Sequence, residues 1–362
     1  MFITFGLDTT DTPARIKEYV KYGAEEFFAG FIPRNWLSKY GWEVCPNRRP
    51  LGHTYNFLQV NELQEVAKAI HDCGARLNLA INAHDNGSER LPYLRSTVET
   101  MEQFNPDGYI VADPAVMFSL KAWGINKPIH LSTGVGCFSS ESVRFFCKQF
   151  NIRRVVIPRK LTISEIKKYI DNLKDIDIEF EVMIIGYRCY FNDEDCHSVH
   201  SGSRRNLCGD VSLGQPYITR RFPDNWKDVI QSIIDHPNEA FEENSPLNEF
   251  RKYMAQELPT PPRVYDDPPF VSGFDAELPK AIFQNCGLCA IKPFRDMGVH
   301  CFKVPLRGTS EFKLESLKIV HKVMTHENPT PEYCRGIINS PSFCDALSNC
   351  YYWVPEAHQN KQ

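Results

Sequence analysis

The stretch that decides the fold is Glu179-Phe-Glu-Val-Met-Ile-Ile185, the seventh short apolar run of the chain. A helical pattern lies between each earlier run and the next one. Short, nearly continuous apolar runs are typical of parallel strands that are covered on both faces. The eighth run, His300-Cys-Phe-Lys-Val-Pro-Leu306, comes only after a long, proline-rich interruption, and another helical pattern follows it.

The order of these runs predicts strands that alternate with helices. The predicted strands are Phe2–Leu7, Glu26–Gly30, Arg76–Ile81, Gly108–Ala112, Pro128–Leu131, Arg154–Ile157, Glu179–Ile185 and His300–Leu306. Eight βα units predict an α/β fold, a TIM-like (β/α)8 barrel with a long insertion between strands seven and eight. A doubly wound open sheet is the alternative.

The barrel prediction divides the chain into four parts. Residues 1–208 hold barrel units one to seven and the start of a cysteine segment, and residues 209–285 form an insertion or small subdomain. Residues 286–330 form the last barrel unit, and residues 331–362 form a tail rich in cysteine and aromatic side chains.

Composition excludes several classes of protein. The chain has 362 residues, of which 42% are hydrophobic, and this is enough for a large buried core. The formal net charge is −4, so no broad basic field is present for nucleic acid or anionic membrane. No apolar run is long enough to span a bilayer, and the N-terminal sequence has no secretory pattern. The sequence therefore predicts a cytoplasmic protein without a membrane span.

Thirteen cysteines in such a chain are typical of reduced thiols and metal ligands rather than disulfides. Cys189, Cys196 and Cys208 lie in one polar stretch directly after the seventh apolar run. Thiolates that are grouped on loops beside a rigid strand suit an iron–sulfur cluster or zinc. His197 and His200 follow Cys196 closely, so a mixed zinc site is the alternative to a cluster.

A second group of cysteines lies in the last part of the chain. Cys286 and Cys289 form the motif Cys-Gly-Leu-Cys, and Cys334, Cys344 and Cys350 follow in the aromatic-rich tail. Cys286 and the three tail cysteines would make a set of four thiols, so one or two [4Fe-4S] clusters are predicted. The alternative for the tail cysteines is that they pack as small apolar side chains.

Four arginines follow the ends of predicted strands: Arg48 and Arg49 after strand two, Arg159 after strand six, and Arg307 after strand eight. The catalytic groups of a barrel lie at the C-terminal ends of its strands, so we expect these guanidinium groups to converge. They suit carboxylates or phosphates. An anionic or aromatic small molecule is the predicted substrate, with RNA as an alternative, and surface ion pairing is the other interpretation of each arginine.

Two further side chains are candidates for the chemistry. His84 follows strand three, and an imidazole that titrates near neutral pH suits general acid or base catalysis. Glu181 alternates with apolar residues inside strand seven, and a carboxylate inside a barrel needs a cationic partner, which we expect to be one of the four arginines. The protease motifs His-Glu-x-x-His and Gly-x-Ser-x-Gly are both absent from the sequence.

Several stretches resemble the collagenase-like peptidase family U32. They are Tyr22-Gly-Ala-Glu-Glu-Phe-Phe-Ala-Gly30, Asn47-Arg-Arg49, Asn56-Phe57, Asp107-Gly-Tyr-Ile-Val-Ala-Asp-Pro114, Ile129-His-Leu-Ser-Thr133, Arg153-Arg-Val-Val-Ile-Pro-Arg159 and Gly298-Val-His-Cys-Phe-Lys-Val-Pro-Leu-Arg307. The resemblance covers most of residues 18–308. It implies a barrel-like fold and a [4Fe-4S] cluster that is held by Cys189, Cys196 and Cys208, with Cys289 as the fourth ligand.

The resemblance also implies a function. Members of this kind assist the oxygen-independent hydroxylation of ubiquinone precursors or RNA nucleobases. Prephenate is implicated as the oxygen donor, so the reaction is an anaerobic one. The sequence has Leu306 where the family usually has glycine, and its cysteine spacing is Cys-x6-Cys-x11-Cys, so a divergent branch is expected. We expect hydroxylation, or a related modification, of an aromatic small molecule or an RNA base. Two alternatives stay open: a peptidase, and a non-catalytic subunit of a heterodimer with a paralogue.

Overall fold

The computed structural model describes residues 1–41, 44–48, 55–84, 86–186, 193–194, 285–307, 310–345 and 349–357. All of these residues belong to one compact unit. The predicted insertion, residues 209–285, lies outside the described residues apart from Asn285, so its boundaries stay a prediction.

Eight parallel strands close into a barrel. They are β1 (Phe2–Gly6), β2 (Ala24–Ala29), β3 (Arg76–Ile81), β4 (Gly108–Val111), β5 (Ile129–Leu131), β6 (Ile152–Val156), β7 (Glu179–Met183) and β10 (Cys301–Val304). The order around the barrel is β1-β10-β7-β6-β5-β4-β3-β2, and every neighbouring pair is parallel. The predicted TIM-like barrel is confirmed, and the open sheet is wrong because β1 pairs with both β2 and β10.

The seventh strand is shorter than predicted. β7 ends at Met183, and Ile185–Gly186 form a separate strand, β8, which pairs in antiparallel fashion with β9 (Asn285–Cys286) outside the barrel. Gly186 has a φ of +118°, a conformation that glycine adopts far more readily than other residues. The chain therefore changes direction at the C-terminal end of β7. We call this end of the barrel, where its strands finish, the mouth.

Helices alternate with the strands. They are α1 (Pro13–Lys21), α2 (Arg34–Tyr40), α3 (Val60–Asp72), α4 (Leu91–Met101), α5 (Pro114–Ala122), α6 (Ser140–Gln149), α7 (Ile163–Asp171), α8 (Ile291–Asp296), α9 (Ser310–Thr325), α10 (Pro331–Ile338) and α11 (Pro341–Asp345). Local signals fix several helix starts; at α7, Thr162 and Glu165 cap each other's backbone N–H groups. Among the described helices, none has the length and apolar character that crossing a membrane requires.

The main hydrophobic core lies between the barrel and its helices. Phe5 on β1 is fully buried there, and its ring centre lies 4.7 Å from that of Tyr19 on α1. The barrel interior is less apolar than this core. Among the described residues, its apolar cluster comprises three: Phe28, Ala80 and Ile110. Since side chains alternate along a strand, the remaining inward positions are open to polar and charged residues.

Candidate functional site

Three charged side chains meet at the mouth, and we call them the mouth cluster: Arg48, Arg159 and Asp193. Arg48 lies in the connection after β2, Arg159 follows β6, and Asp193 lies in the segment after β8. Arg48 Nη1 is 3.1 Å from Asp193 Oδ1. Arg159 Nε donates to Asp193 Oδ2 at 2.9 Å, and its Nη2 donates to Oδ1. The structure thus brings two of the four predicted arginines together on a single carboxylate.

The mouth cluster is largely shielded from solvent. The side chains of Arg48, Arg159 and Asp193 are 11%, 10% and 7% exposed. Burial raises the pKa of Asp193, but the guanidinium groups of Arg159 and Arg48 and a hydrogen bond from Thr133 lower it overall. Asp193 therefore remains a carboxylate at neutral pH, and the two forks bind it as they would bind an anionic ligand.

Buried amides position the connection that carries Arg48. Asn47 Nδ2 donates to Asn56 Oδ1 at 2.8 Å, and both side chains are buried. A Cβ at Gly30, directly after β2, would clash with both amides, so a glycine is required there. The Arg48 N–H donates to Asn82 Oδ1 at 3.3 Å, which ties this connection to the end of β3.

His84 lies at the mouth, beside the segment that carries Asp193. Its Nε2 is 3.3 Å from the backbone oxygen of Asp193. A Cβ at Gly134 would lie only 3.0 Å from His84 Cε1, so the glycine lets the ring approach the turn after β5. Next to it, Asn82 Nδ2 donates to Ser132 Oγ at 3.1 Å. The mouth therefore combines two guanidinium groups, an imidazole and several amide and hydroxyl groups.

A second set of charges lies inside the barrel, and we call Glu26, Arg154, Glu181 and Lys303 the interior cluster. Arg154 donates to Glu26 Oε2 at 2.8 Å and to Glu181 Oε2 at 2.9 Å. Lys303 Nζ donates to Glu181 Oε1 at 2.6 Å. All four residues are buried, and Arg154 also donates to Glu179 at the start of β7. Each of these residues lies within a barrel strand, so the strands themselves fix the pairing.

The interior cluster corrects one prediction. Glu181 pairs with Arg154 and Lys303, so the expectation of an arginine from a strand end was wrong. Burial raises the pKa of Glu181, but Lys303 and then Arg154 lower it overall. Glu26, Glu181 and Cys301 have potential metal-ligand atoms within 4.8 Å of one another. Because Arg154 and Lys303 already neutralise the carboxylates, this group is a salt-bridge network and needs no metal ion.

The remaining predicted residues occupy other places. The guanidinium carbon of Arg307 lies 4.9 Å from the ring centre of Phe28, so Arg307 faces the barrel interior. A histidine on β5, His130, is also buried; burial lowers its pKa to about 4, so this side chain is a neutral core residue at pH 7. The predicted residues that lie outside the described ones, and whose roles stay predictions, are Arg49, Cys189, Cys196, His197, His200 and Cys208.

Five cysteines line one cavity next to the C-terminal end of β7, which we call the cysteine cavity: Cys286, Cys289, Cys334, Cys344 and Cys350. They come from the turn that begins in β9, from α10 and α11, and from the tail after α11. The structure thus brings the whole second group of predicted cysteines together.

Backbone hydrogen bonds hold the cysteine cavity against the barrel. The Gly287 N–H donates to the Ile184 carbonyl at 2.7 Å, which anchors the Cys-Gly-Leu-Cys turn directly after β7. The Tyr351 N–H donates to the Cys286 carbonyl at 2.8 Å, and Cys286 forms a parallel bridge with Cys350. Two segments far apart in sequence are therefore fixed side by side.

The thiols of the cavity differ in acidity. A hydrogen bond with Cys334 lowers the pKa of Cys289 and raises that of Cys334. Burial raises the pKa of Cys344 to about 11, although the nearby Arg335 guanidinium opposes this shift. Cys289 is therefore the most easily ionised of these three thiols.

The comparisons with known proteins identify the family. Residues 12–210, more than half of the chain, match the profile of peptidase family U32. The chain is 25% identical over 196 residues to tRNA hydroxylation protein P of Escherichia coli, which is 52% of this chain and 39% of that protein. It is 26% identical over 200 residues to tRNA hydroxylation protein P1 of Bacillus subtilis, with 54% and 42% covered.

Two further comparisons are with proteins that are named a protease or a peptidase. An uncharacterized protease of Methanocaldococcus jannaschii is 25% identical over 200 residues, with 54% of this chain and 44% of that protein covered. The solved structure of a U32 peptidase is 15% identical, with a TM-score of 0.39, and covers 53% of this chain and 73% of that one. The match spans about two-fifths of the length of these curated relatives. The chain belongs to peptidase family U32.

Proposed function

We propose that this chain takes part in the oxygen-independent hydroxylation of an RNA base, and that the mouth cluster binds an anionic group of the substrate or of the oxygen donor. The observation that carries this proposal is the pair of largely buried guanidinium groups, Arg48 and Arg159, on one carboxylate. They lie at the end of the barrel where catalytic groups of this fold are found. Similar proteins named tRNA hydroxylation proteins support RNA as the substrate.

Asp193 marks where the anion binds. Its carboxylate accepts two hydrogen bonds from Arg159 and one from Arg48. A phosphate or a substrate carboxylate presents oxygen atoms to such forks in the same way. Prephenate, a dicarboxylate, and the phosphates of RNA both fit this chemistry. The incoming anion exchanges with Asp193, which lies on a connecting segment rather than in a strand.

His84 is the group that moves a proton in this proposal. Its ring lies beside the Asp193 backbone, within reach of a ligand that takes the place of the Asp193 carboxylate. An imidazole donates or accepts a proton near neutral pH, so His84 acts as general acid or base. The Asn82 and Ser132 side chains orient the polar part of the ligand.

The cofactor in this proposal is a [4Fe-4S] cluster that is held by Cys189, Cys196, Cys208 and Cys289. Four thiolates are the donor set that such a cluster takes. Asp193 lies at the mouth and stands between Cys189 and Cys196 in the sequence, which supports a cluster close to the mouth cluster. When bound, the cluster supplies one-electron transfer or a binding site for the oxygen donor.

The proposal is tested by measuring the hydroxylated nucleosides in the RNA of the source organism. A strain that lacks this gene is expected to lose a hydroxylated nucleoside from its tRNA or rRNA, as measured by mass spectrometry of RNA digests. The wild-type gene is expected to restore the mark, whereas Arg159→Gln should reduce it by at least about tenfold, because one charge-assisted contact is worth roughly 1.5–3 kcal/mol. Unchanged hydroxylated nucleosides in the deletion strain would refute the proposal.

Arg144→Gln is the matched control for this experiment. Arg144 lies on α6 and pairs with the exposed Asp175 at 2.6 Å, away from the mouth. This variant should restore the mark as well as the wild type does, because exposed ion pairs contribute little. If Arg159→Gln also restores it fully, the mouth cluster has no part in the reaction.

The two alternatives give different results. Hydrolysis of an unstructured peptide by the purified chain, unchanged by Cys189→Ser, would favour the peptidase. Restoration of the RNA mark only when a second chain is co-expressed would favour a subunit of a heterodimer.

A further inference from the structure

We infer that the cysteine cavity is a second metal–thiolate centre, with Cys286, Cys334, Cys344 and Cys350 as its ligands. It is distinct from the cluster proposed at the mouth, and it does not depend on the RNA reaction. The inference rests on where the fold places these thiols.

The first argument is convergence. Five of the fourteen residues that line the cavity are cysteines, against 13 among 362 in the whole chain. They are contributed by the turn that begins in β9, by α10, by α11 and by the tail, so no local repeat in the sequence explains their meeting. The apolar wall of the cavity already includes Ile338, Phe343 and Val354, which would pack a tail core without any thiol. Packing alone therefore does not account for the choice of cysteine.

The second argument is that the backbone at two of the ligands, Cys286 and Cys350, is held in place before any metal binds. A Cβ at Gly287 would lie 2.8 Å from the Ile184 carbonyl oxygen and 3.3 Å from Tyr351 Cβ. The Cys-Gly-Leu-Cys turn therefore needs a glycine where it comes closest to the barrel. The bridge between Cys286 and Cys350 holds two of the ligands together. A metal site gains affinity when its ligands are held in place by packing and hydrogen bonds.

The third argument concerns charge. Several thiolates in one cavity require a nearby cation, and Arg335 lies on the cavity wall. Its guanidinium donates to the Cys344 carbonyl at 3.2 Å and to the Ala357 carbonyl at 3.3 Å, and it pairs with Asp345 at 2.6 Å. Arg335 therefore holds α10, α11 and the tail together while it places a positive charge beside the thiols.

The fifth thiol of the cavity, Cys289, is not needed as a ligand of this centre. Four thiolates suffice for one centre, and Cys289 is the predicted fourth ligand of the cluster at the mouth. In ferredoxins with two clusters, the fourth cysteine of the run Cys-x2-Cys-x2-Cys-x3-Cys binds the other cluster, so cysteines that are close in sequence can bind different clusters. Cys289 and Cys334 line the same cavity, so the two centres would then lie next to each other.

The spacing of the sulfur atoms differs from that of a closed zinc site. Over the described part of the chain, Glu26, Glu181 and Cys301 are the one group of three potential ligands whose atoms lie within 4.8 Å of one another. Zn–S bonds of about 2.3 Å in a tetrahedron place sulfur ligands roughly 4 Å apart. Among the described residues, no three of the cavity thiols have sulfur atoms within 4.8 Å of one another, so the thiols are spread more widely than a closed zinc site requires.

The test is metal and sulfide analysis of the full chain purified without oxygen, for the wild type and for the double variant Cys334→Ser/Cys344→Ser. The variant is expected to lose about four irons and four sulfides per chain relative to the wild type. Loss of one zinc without sulfide would assign the same centre to zinc. A folded variant that keeps the wild-type metal content would refute the inference.

Two controls separate this centre from other sites. Cys73→Ser, at the end of α3 and away from the cavity, should leave the metal content unchanged. Cys189→Ser should remove only the cluster at the mouth, so a failure of that cluster would be visible separately from a failure of this centre. If the double variant loses the metal as expected and the hydroxylated nucleoside in RNA is unchanged, the centre is established and its role lies outside the RNA reaction.

A second measurement covers the case in which the double variant does not fold. Alkylation of the folded wild-type chain is followed by mass spectrometry before and after metal removal. Cys334 and Cys344 should be protected when metal is bound and should react after it is removed. Equal reactivity in both states would show that they are packed thiols rather than ligands.

Discussion

The interior cluster and the mouth cluster use the same chemistry for different purposes. In both, guanidinium groups that are buried or largely buried bind carboxylates at hydrogen-bond distance. In the interior, Arg154 and its partners Glu26 and Glu181 all lie in barrel strands. At the mouth, the arginines meet the carboxylate of Asp193, which belongs to the segment after β8. An ion pair fixed from both sides by strands is structural, whereas one with a partner on a connection is suited to exchange with a ligand.

The largest expected effect is on the interior cluster. Arg154→Met should lower the free energy of unfolding by about 3–5 kcal/mol, because it leaves buried carboxylates without their cation. Urea unfolding measures this loss. The matched control is Arg153→Met, at the preceding residue of β6. The Arg153 side chain is 45% exposed, and its loss should cost less than about 1 kcal/mol. Equal losses for the two variants would mean that the interior cluster is no more important than a surface pair.

The next effect in size is a dependence of stability on pH. Burial raises the pKa of Glu26, but the hydrogen bond and charge of Arg154 lower it overall to about 2, from an ordinary value of 4.5. The pKa is thus lower in the folded state, so Glu26 stabilises the fold above pH 4.5, and this contribution is lost as the pH falls towards 2. The loss is on the order of 3 kcal/mol.

Urea unfolding at pH 5, 4 and 3 tests this dependence in the wild type and in Glu26→Gln. The wild type should lose stability over this range more steeply than the variant, because the glutamine does not titrate. The same slope for both proteins would contradict a low pKa for Glu26 and with it the tight pairing to Arg154.

The sequence predicted the barrel because its signal is local. Each apolar run, including Glu179–Ile185, has a strand pattern of its own. Residues that follow a strand, such as Arg48 and Arg159, lie at the mouth of a barrel however the barrel is packed in detail, so their location could also be predicted. The end of β7 was placed two residues too late, since the apolar pattern of Ile184 and Ile185 does not show that the chain turns at Gly186 to pair with β9.

The missing parts of the site depend on contacts between distant residues. Arg154 was predicted to start a strand, but nothing local shows that it meets Glu26, which is 128 positions away. Asp193 lies in a polar stretch with no periodic pattern, so its contact with the arginines follows only from the path of the chain. The cysteine cavity is an intermediate case, because the composition of the tail suggested Cys334 and Cys344 while the packing of α10 and α11 decided where they meet.

The most direct test of the difference between the two clusters is the affinity of the chain for prephenate, measured by calorimetry on protein purified without oxygen. If Asp193 occupies the anion site, Asp193→Asn removes a competing carboxylate and should bind prephenate about tenfold more tightly than the wild type, a gain of about 1.4 kcal/mol. Arg159→Gln should bind it more weakly. Equal affinity in the wild type and in both variants would contradict the claim that the mouth cluster is an exchangeable anion site.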